Sequence, residues 1–253
     1  LHPIDIKESQ SFAPKLALEK RVQRLLECGG FPESYLNPGD AKRLLIDRLA
    51  YVLREDLRDI HDTSHIRGME ILIDLLRERV GKGLNYANLA QDIGVSPPTV
   101  KQWLSVLERL YIIFVIKPYS RNIAEAIRRE PRAYFFDCSA STLDDASRLE
   151  NLVACSLLKY CDLQRDASGQ ELELRYFRDK QGHEVDFVIT ENRKAITAIE
   201  VKTADAKLHP GLRYFVEKFK PKTALQLVLE LKQAKRLNGI AIEPLGQWLE
   251  KEL

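Results

Sequence analysis

The sequence predicts an α+β chain of two domains, a helical one followed by a mixed α/β one whose elements run αβββαβ. Three observations predict it. Apolar residues recur at helical spacing through most of the first half. That half closes with a helix-turn-helix pattern and two β-branched, aromatic runs. Beyond a small, polar stretch at 139–145, alternating strand-type segments dominate. The boundary is set there, giving domains at 1–140 and 141–253.

In the first domain, Leu18, Val22, Leu25 and Leu26 make a helix over 16–27, which Cys28-Gly29-Gly30-Phe31-Pro32 stops. Helices follow over 41–60, burying Leu44, Leu45, Leu49, Val52 and Leu53, and over 66–80, burying Ile71, Leu72, Leu75 and Leu76. The helix-turn-helix covers about 84–118. Ala90 is small enough for two helices to approach, and Gly94 permits the left-handed turn. Val95 plugs the angle, and Ser96 caps a second helix with Pro97 in its first turn. A strand at 111–116 with a partner at 133–137 completes a wing, and a helix-turn-helix followed by such a hairpin is a winged helix.

The second helix presents Thr99, Lys101, Gln102 and Ser105 outward, a set suited to a DNA groove. After the first wing strand, Lys117, Arg121, Arg128, Arg129 and Arg132 outnumber Glu125 and Glu130 and form a candidate phosphate-contacting strip. DNA is therefore the expected partner. The competing reading is a winged helix that packs against protein.

The second domain reads as a helix from 146 to about 160 and strands at 172–178, 183–190 and 196–202. A helix at 208–218, a strand at 224–229, a short strand at 240–242 and a terminal helix follow. Strand side chains alternate between faces. With 191–195 as the turn, Thr190 lies opposite Ile196, Val188 opposite Ala198, Asp186 opposite Glu200 and Glu184 opposite Lys202. Facing carboxylates repel, and a divalent cation is the simplest compensation. Mg²⁺, or Mn²⁺, takes such hard oxygens, and Lys202 beside it could orient water or steady a phosphate. The competing reading is an amphipathic hairpin whose charged side faces water.

Asp186 and Glu200-Val201-Lys202, with the αβββαβ order, resemble the PD-(D/E)XK nuclease superfamily and its restriction-endonuclease-like fold. The resemblance implies Asp186 and Glu200 as metal ligands and Lys202 as a catalytic residue. It implies Glu150, in the opening turn of the preceding helix, as a further catalytic and metal-binding carboxylate. Nearly the whole chain also resembles the C-terminal part of prokaryotic AAA-type ATPases of unknown function. That resemblance rests on Gly29-Gly30-Phe31-Pro32-Glu33, Asp59-Ile60, the helix-turn-helix, Pro118-Tyr119-Ser120-Arg121-Asn122, Tyr134-Phe135-Phe136-Asp137, Arg175-Tyr176-Phe177-Arg178 and the two carboxylate strands. It implies an ATPase domain upstream in the parent chain, in keeping with a sequence that opens at Leu1 and holds Met69 as its one methionine.

Several functions are excluded or left without support. The 39 Lys and Arg against 37 Asp and Glu give a net charge of +2, which argues against histone-like coating of nucleic acid. There is no G-x-x-x-x-G-K-[ST] loop, so ATP hydrolysis is not encoded here, and no dinucleotide fingerprint or G-x-S-x-G elbow occurs. No apolar stretch approaches the roughly 20 residues of a membrane span, and the opening residues do not form a signal peptide. Cys28, Cys138, Cys155 and Cys161 form no C-x-x-C pair and read as reduced, buried thiols of a cytoplasmic protein. His61 and His65 lack a third ligand nearby in sequence. Besides a metal-dependent nuclease, the sequence admits a non-catalytic module that positions an ATPase, or a transcription-factor-like DNA binder.

Overall fold

The structure, a computed structural model, describes residues 2–56, 63–120, 129–140 and 144–252. Its helical N-terminal region comprises α1 (Ile6–Phe12), α2 (Leu18–Cys28), α3 (Pro32–Leu36), α4 (Ala41–Asp56), α5 (Thr63–Arg77), α6 (Tyr86–Ile93) and α7 (Pro97–Arg109). The hairpin strands β1 (Ile113–Pro118) and β2 (Arg132–Phe135) lead to the long α8 (Asp145–Ser168). Then come β3 (Leu172–Arg178), β4 (Glu184–Glu191), β5 (Lys194–Lys202), α9 (Pro210–Phe219), β6 (Thr223–Val228), β7 (Lys235–Leu237), β8 (Ile240–Pro244) and α10 (Leu245–Glu252). The α+β class is as expected.

The helix-turn-helix forms from the expected residues. Gly94 adopts the left-handed conformation (φ 81°), and the Ser96 hydroxyl accepts the Thr99 N–H at the start of α7. Val100, Trp103, Leu104 and Leu107 bury one face of α7. Three details differ from expectation. The first strand begins at Ile113, because Tyr111 takes a left-handed turn (φ 54°) after α7. On α5 the buried residues are Met69, Leu72, Ile73 and Leu76, whereas Ile71 is 40% exposed; the core face lies rotated from the expected one. Elements α1, α3 and β7 are too short for a periodic signal.

Among the described residues the strands form one mixed sheet, in the order β2-β1-β3-β4-β5-β6-β8-β7. Strand β1 joins it by pairing in parallel with β3, Lys117 beside Arg175 and Pro118 beside Tyr176. The hairpin thus belongs to the same sheet as the C-terminal strands, and no break in the sheet falls at position 140. The main apolar cluster likewise draws Leu25 and Trp103 together with Leu152 and Phe187. A smaller cluster under α9 contains Tyr119, Phe177, Val188 and Phe215.

Helix α8 runs on to Ser168, beyond the apolar stretch, because its last turns are solvated and Gly169 caps them in the left-handed conformation (φ 71°). Its first half is buried. There the Asn151 amide accepts the Phe135 N–H (2.9 Å) and donates to the Phe135 carbonyl (2.6 Å), completing the hydrogen bonding of edge strand β2. This locks α8 against the hairpin one residue away from Glu150.

Candidate functional site

The β4–β5 hairpin turns through Asn192 and Arg193, both at positive φ (48° and 64°), a two-residue connection tighter than expected. Val188 does pair with Ala198, but a bulge between Ile189 and Thr190 puts Thr190 opposite Ala195 rather than Ile196. The ladder ends at Phe187 and Ile199. Beyond it the strands are joined by a side chain: Asp186 Oδ2 accepts the Val201 N–H at 2.8 Å. Glu184 and Lys202 likewise fall outside that ladder; on the β3 side Glu184 lies opposite Arg178, and it pairs with the Arg132 guanidinium.

Glu200 is 2% exposed. Its Oε1 accepts a hydrogen bond from Lys202 Nζ at 2.6 Å, and His209 Nδ1 lies 3.2 Å from the same oxygen. Its Oε2 is buried without a hydrogen-bond partner. Glu150, from α8, accepts the Tyr134 hydroxyl at 2.6 Å. Gly81 gives Glu150 room: its φ is 72°, and a Cβ there would stand 2.5 Å from Glu150 Oε1. Elements from both halves of the sequence therefore build the site.

The electrostatics tie these groups together. Loss of hydration, then the charge of Asp186, pushes Glu150 up to about 7. Burial followed by Asp186 raises Glu200 well above the usual carboxylate range. Asp186 is also raised, by burial, against the opposing pull of Lys202. Burial lowers the Lys202 ammonium, but Glu200 and Asp186 outweigh it and its pKa rises. Burial and the Lys202 charge depress His209. The four residues expected to act together thus sense one another across β4, β5 and α8.

Among the described residues, no group of three His, Cys, Asp or Glu side chains is arranged to hold a metal ion. The donor chemistry nevertheless fits a hard cation: carboxylate oxygens short of water, one of them the partnerless Glu200 Oε2. Lys202 supplies the positive charge on Glu200 in this arrangement.

The expected nucleic-acid residues divide. Lys101, Gln102 and Ser105 are exposed on α7, and Lys117 is exposed on β1. Thr99 is half-buried, its hydroxyl 2.8 Å from that of Ser96 in the helix cap. Arg129 is partly buried and has an interaction partner. Arg121 and Arg128 lie outside the described residues, as do His61 and the Asp59-Ile60 pair. Arg132 is a correction: at 3% exposure, paired with Glu184 and stacked 4.1 Å from the Tyr176 ring centre, it is not open to a phosphate. It serves the carboxylate cluster instead. Sequence reasoning missed Tyr134, Asn151 and His209. The readable signals were a polar Asn in an apolar helix face and a His directly before the Pro210 helix start.

Residues 19–143 match a family described as a domain of unknown function (DUF8612), and residues 147–248 match a second domain of unknown function, DUF4143. DUF4143 is a domain found in AAA-ATPase-associated proteins. Neither a curated protein nor a solved structure matches the chain. No helix among the described residues is long and apolar enough to cross a membrane.

Proposed function

We propose that this chain is the nucleic-acid-processing part of an AAA-type ATPase system, with a winged helix that contacts DNA and a PD-(D/E)XK nuclease-like domain of the restriction-endonuclease type. The observation that carries this reading is the approach of Asp186, Glu200, Lys202 and Glu150 to one another, with one buried Glu200 oxygen left unpaired.

Asp186, Glu200 and Glu150 would hold Mg²⁺ or Mn²⁺, which supplies Lewis-acid stabilisation of phosphoryl charge and a more acidic water. Asp186 keeps β5 in place through the Val201 N–H while presenting its other oxygen. Lys202 favours the ionised form of Glu200, against the larger effects of burial and Asp186, and puts a donor where a phosphate oxygen would arrive. Glu150, with a pKa of about 7, can accept or release a proton near neutral pH. Lys101, Gln102 and Ser105 would face the DNA groove.

The test is incubation of the purified chain with linear, branched and single-stranded DNA and Mg²⁺ or Mn²⁺. Nicking or cleavage lost in Asp186→Ala and Lys202→Ala supports the reading, and intact DNA throughout removes the catalytic half.

One observation favours a second reading, a non-catalytic module that positions the ATPase: Lys202 and Arg132 already neutralise Glu200 and Glu184. It expects no metal affinity and tolerance of substitution at Lys202.

A further inference from the structure

The face of the sheet that carries α9 has two unlike ends. The carboxylates lie at the N-terminal end of α9, where His209 meets Glu200. Past its C-terminal end, about 15 Å away at 1.5 Å per helical residue, a groove of about 990 Å³ opens beside the β4–β5 turn. Among the described residues, Lys117, Arg175, Arg193, Lys194, Lys220 and Lys222 line it, against two carboxylates, Glu173 and Glu191. That is a local surplus of four positive charges in a chain whose net charge is +2. Glu173 is paired with Arg175 at 2.8 Å, and Glu191 accepts from Gln170. The other five cations are exposed, and none has an ion-pair partner among the described residues.

Two of these cations occupy backbone positions that favour glycine. Arg193 is the second residue of the hairpin turn (φ 64°), where Gly is the usual choice. Lys220 caps α9 in the left-handed conformation (φ 51°), again a Gly position. Any side chain with a Cβ is disfavoured at both sites, and at both the residue present is an exposed cation.

We infer that this groove binds the phosphate backbone of a single-stranded nucleic acid. Its volume is at the upper end for small-molecule pockets, enough for a few nucleotides of one strand but not for a duplex. Charge without a fixed acidic complement suits a repeating phosphate chain. Lys117 links the groove through β1 to the helix-turn-helix. The inference does not rest on the carboxylate cluster, because backbone binding needs no metal.

The test is fluorescence anisotropy with a labelled single-stranded oligonucleotide, the whole chain and EDTA, over a series of salt concentrations. With five contacting cations, log affinity should fall against log salt with a slope of about −3.5. The double variant Arg193→Gly, Lys220→Gly should bind about tenfold more weakly and lose about 1.4 from that slope. Its Tm should stay level or rise by about 2 °C, since glycine relieves both positions. Lys194→Glu with Lys222→Glu should abolish binding. Lys15→Glu with Lys20→Glu, exposed cations that do not line the groove, should leave single-strand binding intact, which separates binding in this groove from general attraction to surface charge. Salt-independent binding, groove variants that bind like the unchanged chain, or equal binding of a poly-glutamate peptide would overturn the inference.

Discussion

At the open end of the β4–β5 hairpin, Asp186 and Glu200 are drawn out of water and toward Lys202, and both carboxyls are harder to ionise than usual. At the turn of the same hairpin, Arg193 and Lys194 stand in solvent, with Glu191 opposite Lys194 in the ladder but no ion pair formed to either cation among the described residues. The strands supply the same scaffold to both ends. What differs is the covering: Glu150 on α8, Tyr134 on β2 and His209 before α9 close over the acidic end. Charge that is dehydrated is poised for chemistry or a cation, whereas charge left hydrated suits reversible, salt-dependent contact.

The largest effect should come from breaking the acidic end. In the cleavage assay, Asp186→Ala and Lys202→Ala should each lower the rate by about a thousandfold, the scale of losing an electrostatic or proton-transferring group. Single-strand binding at the turn should not change in either variant.

Next in size is Asn151→Ala, which leaves the buried Phe135 N–H without its partner and the Phe135 carbonyl with the weak Cys155 thiol donor. Urea denaturation should register a loss of about 2–3 kcal/mol. A loss near zero would mean that α8 does not depend on this clasp to deliver Glu150.

A pH-dependent comparison sharpens the contrast further. Glu150 has its pKa raised from 4.5 to about 7 by burial and Asp186, so the folded state binds its proton more tightly than the unfolded state does. Its stabilising contribution is therefore complete below about pH 4.5 and is lost as pH climbs to 7. Glu150→Gln resembles the protonated form. Thermal melts should find the variant level with the unchanged chain at low pH and about 2–4 °C more stable at pH 8, the shift of roughly 1 kcal/mol at this size. An equal gain at both pH values would contradict the assignment.

The smallest effect is at the helix-turn-helix, where Ser96→Ala removes the α7 cap and should cost about 1 kcal/mol in denaturant melts.

Local features were legible in the sequence wherever one residue type serves one backbone need. Ser96, Pro97 and Gly94 mark their own positions, and alternation set the faces of β4 and β5. Asp186, Glu200 and Lys202 were readable for the same reason. The remainder depended on contacts between distant segments. Nothing local in 113–118 announces parallel pairing with β3, and nothing in Arg132 announces burial against Glu184. The bulge at Ile189 and Thr190 shifts the turn without altering the apolar pattern, so alternation alone could not place it. Tyr134 and His209 join the site only through tertiary packing.

The most direct measurement is calorimetric titration of the whole chain with Mn²⁺ at about pH 6.5, in two buffers of different ionisation enthalpy. Carboxyls with raised pKa values must shed protons to take a cation, so binding should release protons and the apparent heat should depend on the buffer. Asp186→Ala should abolish it. A flat titration of the unchanged chain, or heat that persists undiminished in Asp186→Ala, would contradict the account.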